Sequence, residues 1–215
     1  MMELSPPHSP IHTKRDFFIH MFTIILGILI ALGLEAIVQW GHHRVLVREA
    51  RVNILTEVRK NKQTVDQTLP ELKQREEELN HIITLARQIE MKPESFNGGT
   101  MAVDWTSHEL YGTAWKTAST SGAATYMAYD ELQRYTDAYD GQQDFDSLQK
   151  DAFSMISQLF PLIEATMAHR HVKSVPRERF VQIQQEAYRG LLIAQALENL
   201  CQELNKDYAT ILNQK

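Results

Sequence analysis

Three polar residues, Asn53, Glu57 and Asn61, recur at every fourth position, which sets them on one face of a helix. A carboxylate flanked by two amides can fix helix register through buried hydrogen bonds, stand in solvent, or hold a partner or ligand. The first use is favoured, because the three cut into an apolar stripe. A second group surrounds Trp115, with Tyr111 before it and Ser121-Gly122 after it. These residues could line an aromatic pocket at a helix corner, although a core tryptophan at the turn between two helices is the stronger reading. Ser121 is not set up as a nucleophile, since the G-x-S-x-G turn and the strand it needs are both missing.

Nine histidines raise the question of a metal. His42-His43, His169 and His171 around Arg170, and Glu77 one turn from His81 come nearest to a ligand set. A transition metal needs three or four converging ligands, and neither HExxH nor paired CxxC occurs, so no metal site and no cofactor are expected. The lone Cys201 sits among Leu197, Leu200 and Leu204 and reads as a small core residue. Asn97-Gly98-Gly99 lacks the Lys-Ser/Thr of a phosphate loop. No catalytic residue is assigned, and enzyme activity is not expected. A net charge of -5 argues against nucleic acid as a partner.

The elements that must carry these groups are helical. Phe17 to Leu34 is eighteen residues without a formal charge, and a span of residues 16–40 is long enough for the roughly 30 Å hydrocarbon layer. Phe17, Phe18 and Trp40 mark its ends, with Lys14 and Arg15 before it and Arg44, Arg48 and Arg51 after it. A cleaved signal peptide is the competing reading, but the apolar run is too long and no small-x-small site follows. The lipid bilayer is therefore the expected partner. Gly27, Ala31 and Glu35 share a helix face that would let two spans approach closely, giving protein partners or self-association a place to form. Residues 1–15 read as a disordered polar tail.

Beyond the span, residues 41–215 read as an all-α, antiparallel helical bundle joined to the transmembrane helix. Val47, Ala50, Ile54, Val58, Val65 and Leu69 mark one helix; Pro70 should end it, making residues 41–92 a helical hairpin. Pro93 to Thr100 is the clearest loop. Residues 105–215 hold the remaining helices. A capping box at Thr106 and Glu109 should open one that carries Leu110, Ala114 and Trp115 and stops at Ser121-Gly122. Gly141 and Pro161 should interrupt or bend the next, and Ser174 and Pro176 introduce the last.

Two stretches, GILIALGLE at Gly27 to Glu35 and TAWKTASTSGA at Thr113 to Ala123, with the Asn53, Glu57, Asn61 stripe between them, resemble a broad set of uncharacterised bacterial proteins. Those proteins have one N-terminal span and a C-terminal helical domain. The resemblance implies a bacterial inner-membrane location, and it brings no catalytic residue with it. The soluble domain is expected on the periplasmic side. The function expected is that of a membrane-anchored scaffold or assembly protein, with a ligand-binding or sensory bundle as the alternative.

Overall fold

The computed structural model describes residues 14–96, 98–167 and 175–213. The expected tail lies outside them up to residue 13, as do Asn97, His169, His171 and Ser174, while Lys14 and Arg15 are helical. The chain divides into two compact units, residues 1–48 and 49–215. Helix α1, Lys14–Met91, contributes to both.

In the first unit every described residue up to Trp40 is exposed. Among the described residues α1 is the one helix long and apolar enough to cross a membrane. Polar side chains on this stretch bond within the helix: Thr23 Oγ1 donates to the Ile19 carbonyl at 2.9 Å, and Gln39 Nε2 donates to Glu35 at 3.1 Å. Such local pairing lowers the cost of setting polar groups in apolar surroundings. The Arg44 guanidinium lies 4.6 Å from the centre of the Trp40 ring, a cation–π contact.

The second unit is built from the later part of α1 with α2 (Thr113–Thr120), α3 (Tyr129–Met167) and α4 (Arg177–Leu212). Short 3-10 turns lie at Pro93–Ser95 and Ala123–Tyr126. No strand occurs among the described residues. Buried positions 47, 50, 54, 58, 61, 65, 68, 72, 75, 79, 82, 86 and 89 of α1 follow the three-four spacing of a coiled-coil seam, and Ile83 and Leu85 widen the buried face near its end. Helix α4 keeps the same spacing from Phe180 through Ile183, Ala187, Gly190, Ala194 and Leu197 to Ile211.

This seam explains why α1 does not stop where the sequence suggested. Pro70 lies inside the helix on its exposed side, and the seam passes it from Thr68 to Leu72 without a break. Residues 41–91 are thus one continuous stretch of helix, and the expected hairpin over 41–92 is not formed. A proline removes one backbone donor, and here the burial on either side of it outweighs that loss. Helix α3 likewise runs through Gly141 and Pro161 without interruption.

Directions follow from cross-contacts. Lys62 reaches Asn205, and Gln184 reaches Glu90, so α4 is antiparallel to α1. Gly190 against Met155 and Gly141 against Leu204 make α4 antiparallel to α3 as well. Arg51 with Glu131, and Glu57 with Tyr139, make α1 and α3 parallel. Two parallel helices in sequence require a return connection, and residues 92–128 supply it. At Gly190 an added Cβ would stand 2.5 Å from Met155 Cε and 3.1 Å from Leu79 Cδ2, so the absence of a side chain there lets the three helices close on one another.

Candidate functional site

The return connection is where the polar residues of the sequence converge. Residues 98–112 form neither helix nor strand, so their backbone groups need partners from elsewhere. Asn61, fully buried in the α1 seam, supplies two: its Oδ1 accepts from the Tyr111 N–H at 2.8 Å and its Nδ2 donates to the Tyr111 carbonyl at 2.7 Å. Gln149, buried in α3, treats His108 the same way, with both bonds at 2.7 Å. Each side-chain amide makes the pair of bonds that a neighbouring strand would make. The expected capping-box helix at Thr106 is therefore not formed; helix α2 begins only at Thr113. Buried Met101 and Leu110 fasten the same segment by its side chains.

Glu57, the middle of the stripe, meets the start of α2. Its carboxylate accepts from the Ala114 N–H at 2.9 and 3.1 Å and from the Tyr139 hydroxyl at 2.7 Å. A negative group suits the positive end of a helix dipole, and Gly112, at the N-cap, brings no side chain of its own to do this. Asn53, the third member of the stripe, is exposed and takes no part.

Trp115 is one turn of the helix from this cap. Its ring stacks on Tyr139, with centroids 5.8 Å apart and planes at 13°, and meets Tyr135 at 6.0 Å. The aromatic corner is thus a packed contact between α2 and α3, while the Tyr111 side chain remains exposed. Gly122 has φ of +80°, a conformation that costs a side-chain-bearing residue strain; it turns the chain after Ser121 and ends α2 where the sequence placed the stop.

The pairing below this corner is ionic. Arg51 donates to both oxygens of Glu131, at 2.7 and 2.6 Å, and Tyr135 donates to the same carboxylate at 3.1 Å. The guanidinium holds the Glu131 carboxyl below its usual range. Burial first, and then Glu131, push the Tyr135 hydroxyl up to about 12. Burial and the Glu57 bond push Tyr139 higher still. Both phenols stay protonated at neutral pH and serve as donors. Burial also drives the Cys201 thiol up to about 12, which keeps it from acting as a thiolate.

Higher on the connection, His108 Nε2 lies 2.8 Å from Glu71. Beside it a groove of about 460 Å³ is lined by Ser107, His108, Glu109, Asp146, Lys150 and Phe153. Sequence reading missed Gln149, His108 and the Arg51–Glu131 pair. Gln149 could have been found as a polar residue on the buried stripe of α3 between Phe145 and Ala152; His108 carried no such signal.

Comparison of the chain with family models, curated proteins and solved structures finds no match. What remains is the geometry. Glu57, Asn61, Gln149 and Tyr139 spend their polar atoms on the protein's own backbone and side chains, which makes this constellation a clamp on residues 107–114. Gly27, Ala31 and Glu35 lie on the exposed part of α1, and a Cβ added at Gly27 would meet nothing within 4 Å. The rings of His42 and His43 are 6.3 Å apart. Glu77 and His81 are both exposed.

Proposed function

We propose that this chain is a membrane-anchored helical scaffold, which uses its apolar helix to hold a three-helix bundle at a bacterial inner membrane where protein partners meet it. The observation that carries the proposal is the contrast within α1. Residues Phe17 to Leu34 present apolar side chains on every side, yet none of them is buried by the fold, and such a surface is stable only in surroundings as apolar as itself. Support for a scaffold over an enzyme comes from the clamp, because the side chains best placed for chemistry are occupied in holding residues 107–114. Short tail inside and bulk outside is the orientation proposed, since Lys14-Arg15 abuts the apolar run.

The alternative, a ligand-binding or sensory bundle, has one observation in its favour, the groove beside His108. In-membrane cross-linking followed by identification of the adducts separates the two. Recovery of the same protein adducts from wild type and from a Phe153→Ala variant, with no thermal shift on metabolite panels, supports the scaffold. A reproducible thermal shift that Phe153→Ala abolishes would replace it with the sensor. Protease treatment of sealed cells tests the orientation: the bundle is expected to be cut from outside.

A further inference from the structure

Helices α3 and α4 close on each other at Gly141, where an added Cβ would stand 3.0 Å from Leu204 Cδ2 and 4.0 Å from Leu200 Cδ1. Beside this contact the two helices line a groove of about 400 Å³ that includes Asp144 and Leu148 from α3 and Ala196, Leu200 and Glu203 from α4. Leu148, Ala196 and Leu200 are half-buried, whereas Asp144 and Glu203 are exposed. The groove therefore has an apolar floor and an acidic rim.

The acid continues along both helices. Asp137, Asp140 and Asp144 are three and four apart and share one face of α3. On α4, burial and then the charges of Asp137 and Glu203 push the Asp207 carboxyl above its usual range, against the opposing charge of Lys206. Elsewhere on the bundle acids meet cations: Asp66 pairs with Lys62, Asp130 with Arg134, Glu131 with Arg51 and Glu186 with Arg189. Among the described residues Asp137, Asp144, Glu203 and Asp207 make no such ion pair.

An apolar floor between carboxylates that lack cations complements one kind of surface, a helix with apolar residues every three or four positions and Lys or Arg on its flanks. Its cations would relieve the repulsion around Asp207, and its apolar side would dry Leu148 and Leu200. With α1, α3 and α4 it would complete a four-helix bundle. A second copy of the chain suits the groove poorly, since it would bring the same carboxylates and a net charge of -5.

We propose that the groove between α3 and α4 is the docking face for a basic amphipathic helix of a partner protein, which seats its apolar side on Leu148 and Leu200 and its cations against Asp144 and Glu203. This inference rests on the scaffold reading and names the kind of partner the scaffold holds.

The test uses the full chain in non-ionic detergent micelles and three synthetic peptides of equal length, each with a central benzophenone for photo-cross-linking. The first places Leu and Lys at amphipathic helical spacing, the second scrambles the same residues, and the third replaces Lys by Glu. The first peptide is expected to cross-link to residues 137–148 and 196–207 and to bind about tenfold more tightly than either of the others. Its affinity should fall about tenfold in the double variant Asp144→Asn with Glu203→Gln, and by less than about twofold in Glu77→Gln with Glu164→Gln, which removes two exposed carboxylates elsewhere on the surface. Equal binding of the ordered and scrambled peptides, equal losses in the two double variants, or cross-links that map away from the groove would each overturn the docking face. The scaffold reading would then still stand on protein adducts recovered from native membranes; absence of any such adduct would overturn both.

Discussion

The two parts of helix α1 share one backbone and obey different rules. From Phe17 to Val38 apolar side chains face all directions and every one is exposed; from Val47 to Ile89 most of them follow one seam and are buried, with Val52 left exposed. In the second part the seam admits polar residues, Asn61, Thr68 and Arg75, because partners from other elements or from the same helix satisfy them. The difference teaches that apolar content alone does not locate a core. What decides is whether the rest of the fold supplies a surface to bury each side chain.

The sharpest way to test that difference is to make the same substitution in both parts. Leu79→Ala, at a fully buried site against Gly190 and Met155, should lower the unfolding free energy of the bundle by about 2–5 kcal/mol in detergent denaturation. Leu29→Ala, in the exposed apolar stretch, should change it by less than about 0.5 kcal/mol. Comparable losses at the two sites would mean that the apolar stretch belongs to the core.

A smaller effect is expected within the polar stripe. Asn61→Leu removes two hydrogen bonds and strands the Tyr111 N–H and carbonyl, which should cost about 1–3 kcal/mol; it should also raise hydrogen exchange across residues 107–112. Asn53→Leu, at an exposed position, should be silent within about 0.5 kcal/mol. An equal response at both positions would remove the distinction between clamp and solvated face.

The smallest effect concerns acid. Glu131 has its carboxyl held below the ordinary 4.5 by the Arg51 hydrogen bonds. A depressed carboxylate contributes stability that is present above its unfolded value and is lost as pH falls through its folded value. The stability difference between wild type and Glu131→Gln should therefore be constant above about pH 5.5 and shrink below about pH 4.5. A difference that grew on acidification would contradict the pairing.

Much of this architecture was legible in the residues, and the exceptions have physical causes. The apolar stretch and the α4 seam declare themselves by composition and spacing. Pro70 misled because a proline's local cost is visible in a sequence whereas the packing that outweighs it is not; the polar seam residues Asn61, Thr68 and Arg75 also disguised the continuity of α1. Residues 98–112 misled in the opposite way. Thr106 and Glu109 have the local chemistry of a helix start, but Asn61 and Gln149 offer their backbone a different set of partners. Glu57 and Asn61 could be singled out because polar residues interrupting an apolar stripe need a reason. Their partners, Ala114, Tyr139 and Tyr111, lie 50 to 82 residues away in the chain, and no periodicity reports on such distances.

The claim on which the account depends is that lipid surrounds Phe17 to Val38. Alkaline carbonate extraction of native membranes, read with an antibody to the bundle and with sequencing of the N-terminus, tests it directly. The account predicts that the chain, with its apolar stretch intact, stays in the membrane pellet. Recovery of that same intact chain in the soluble fraction would contradict it.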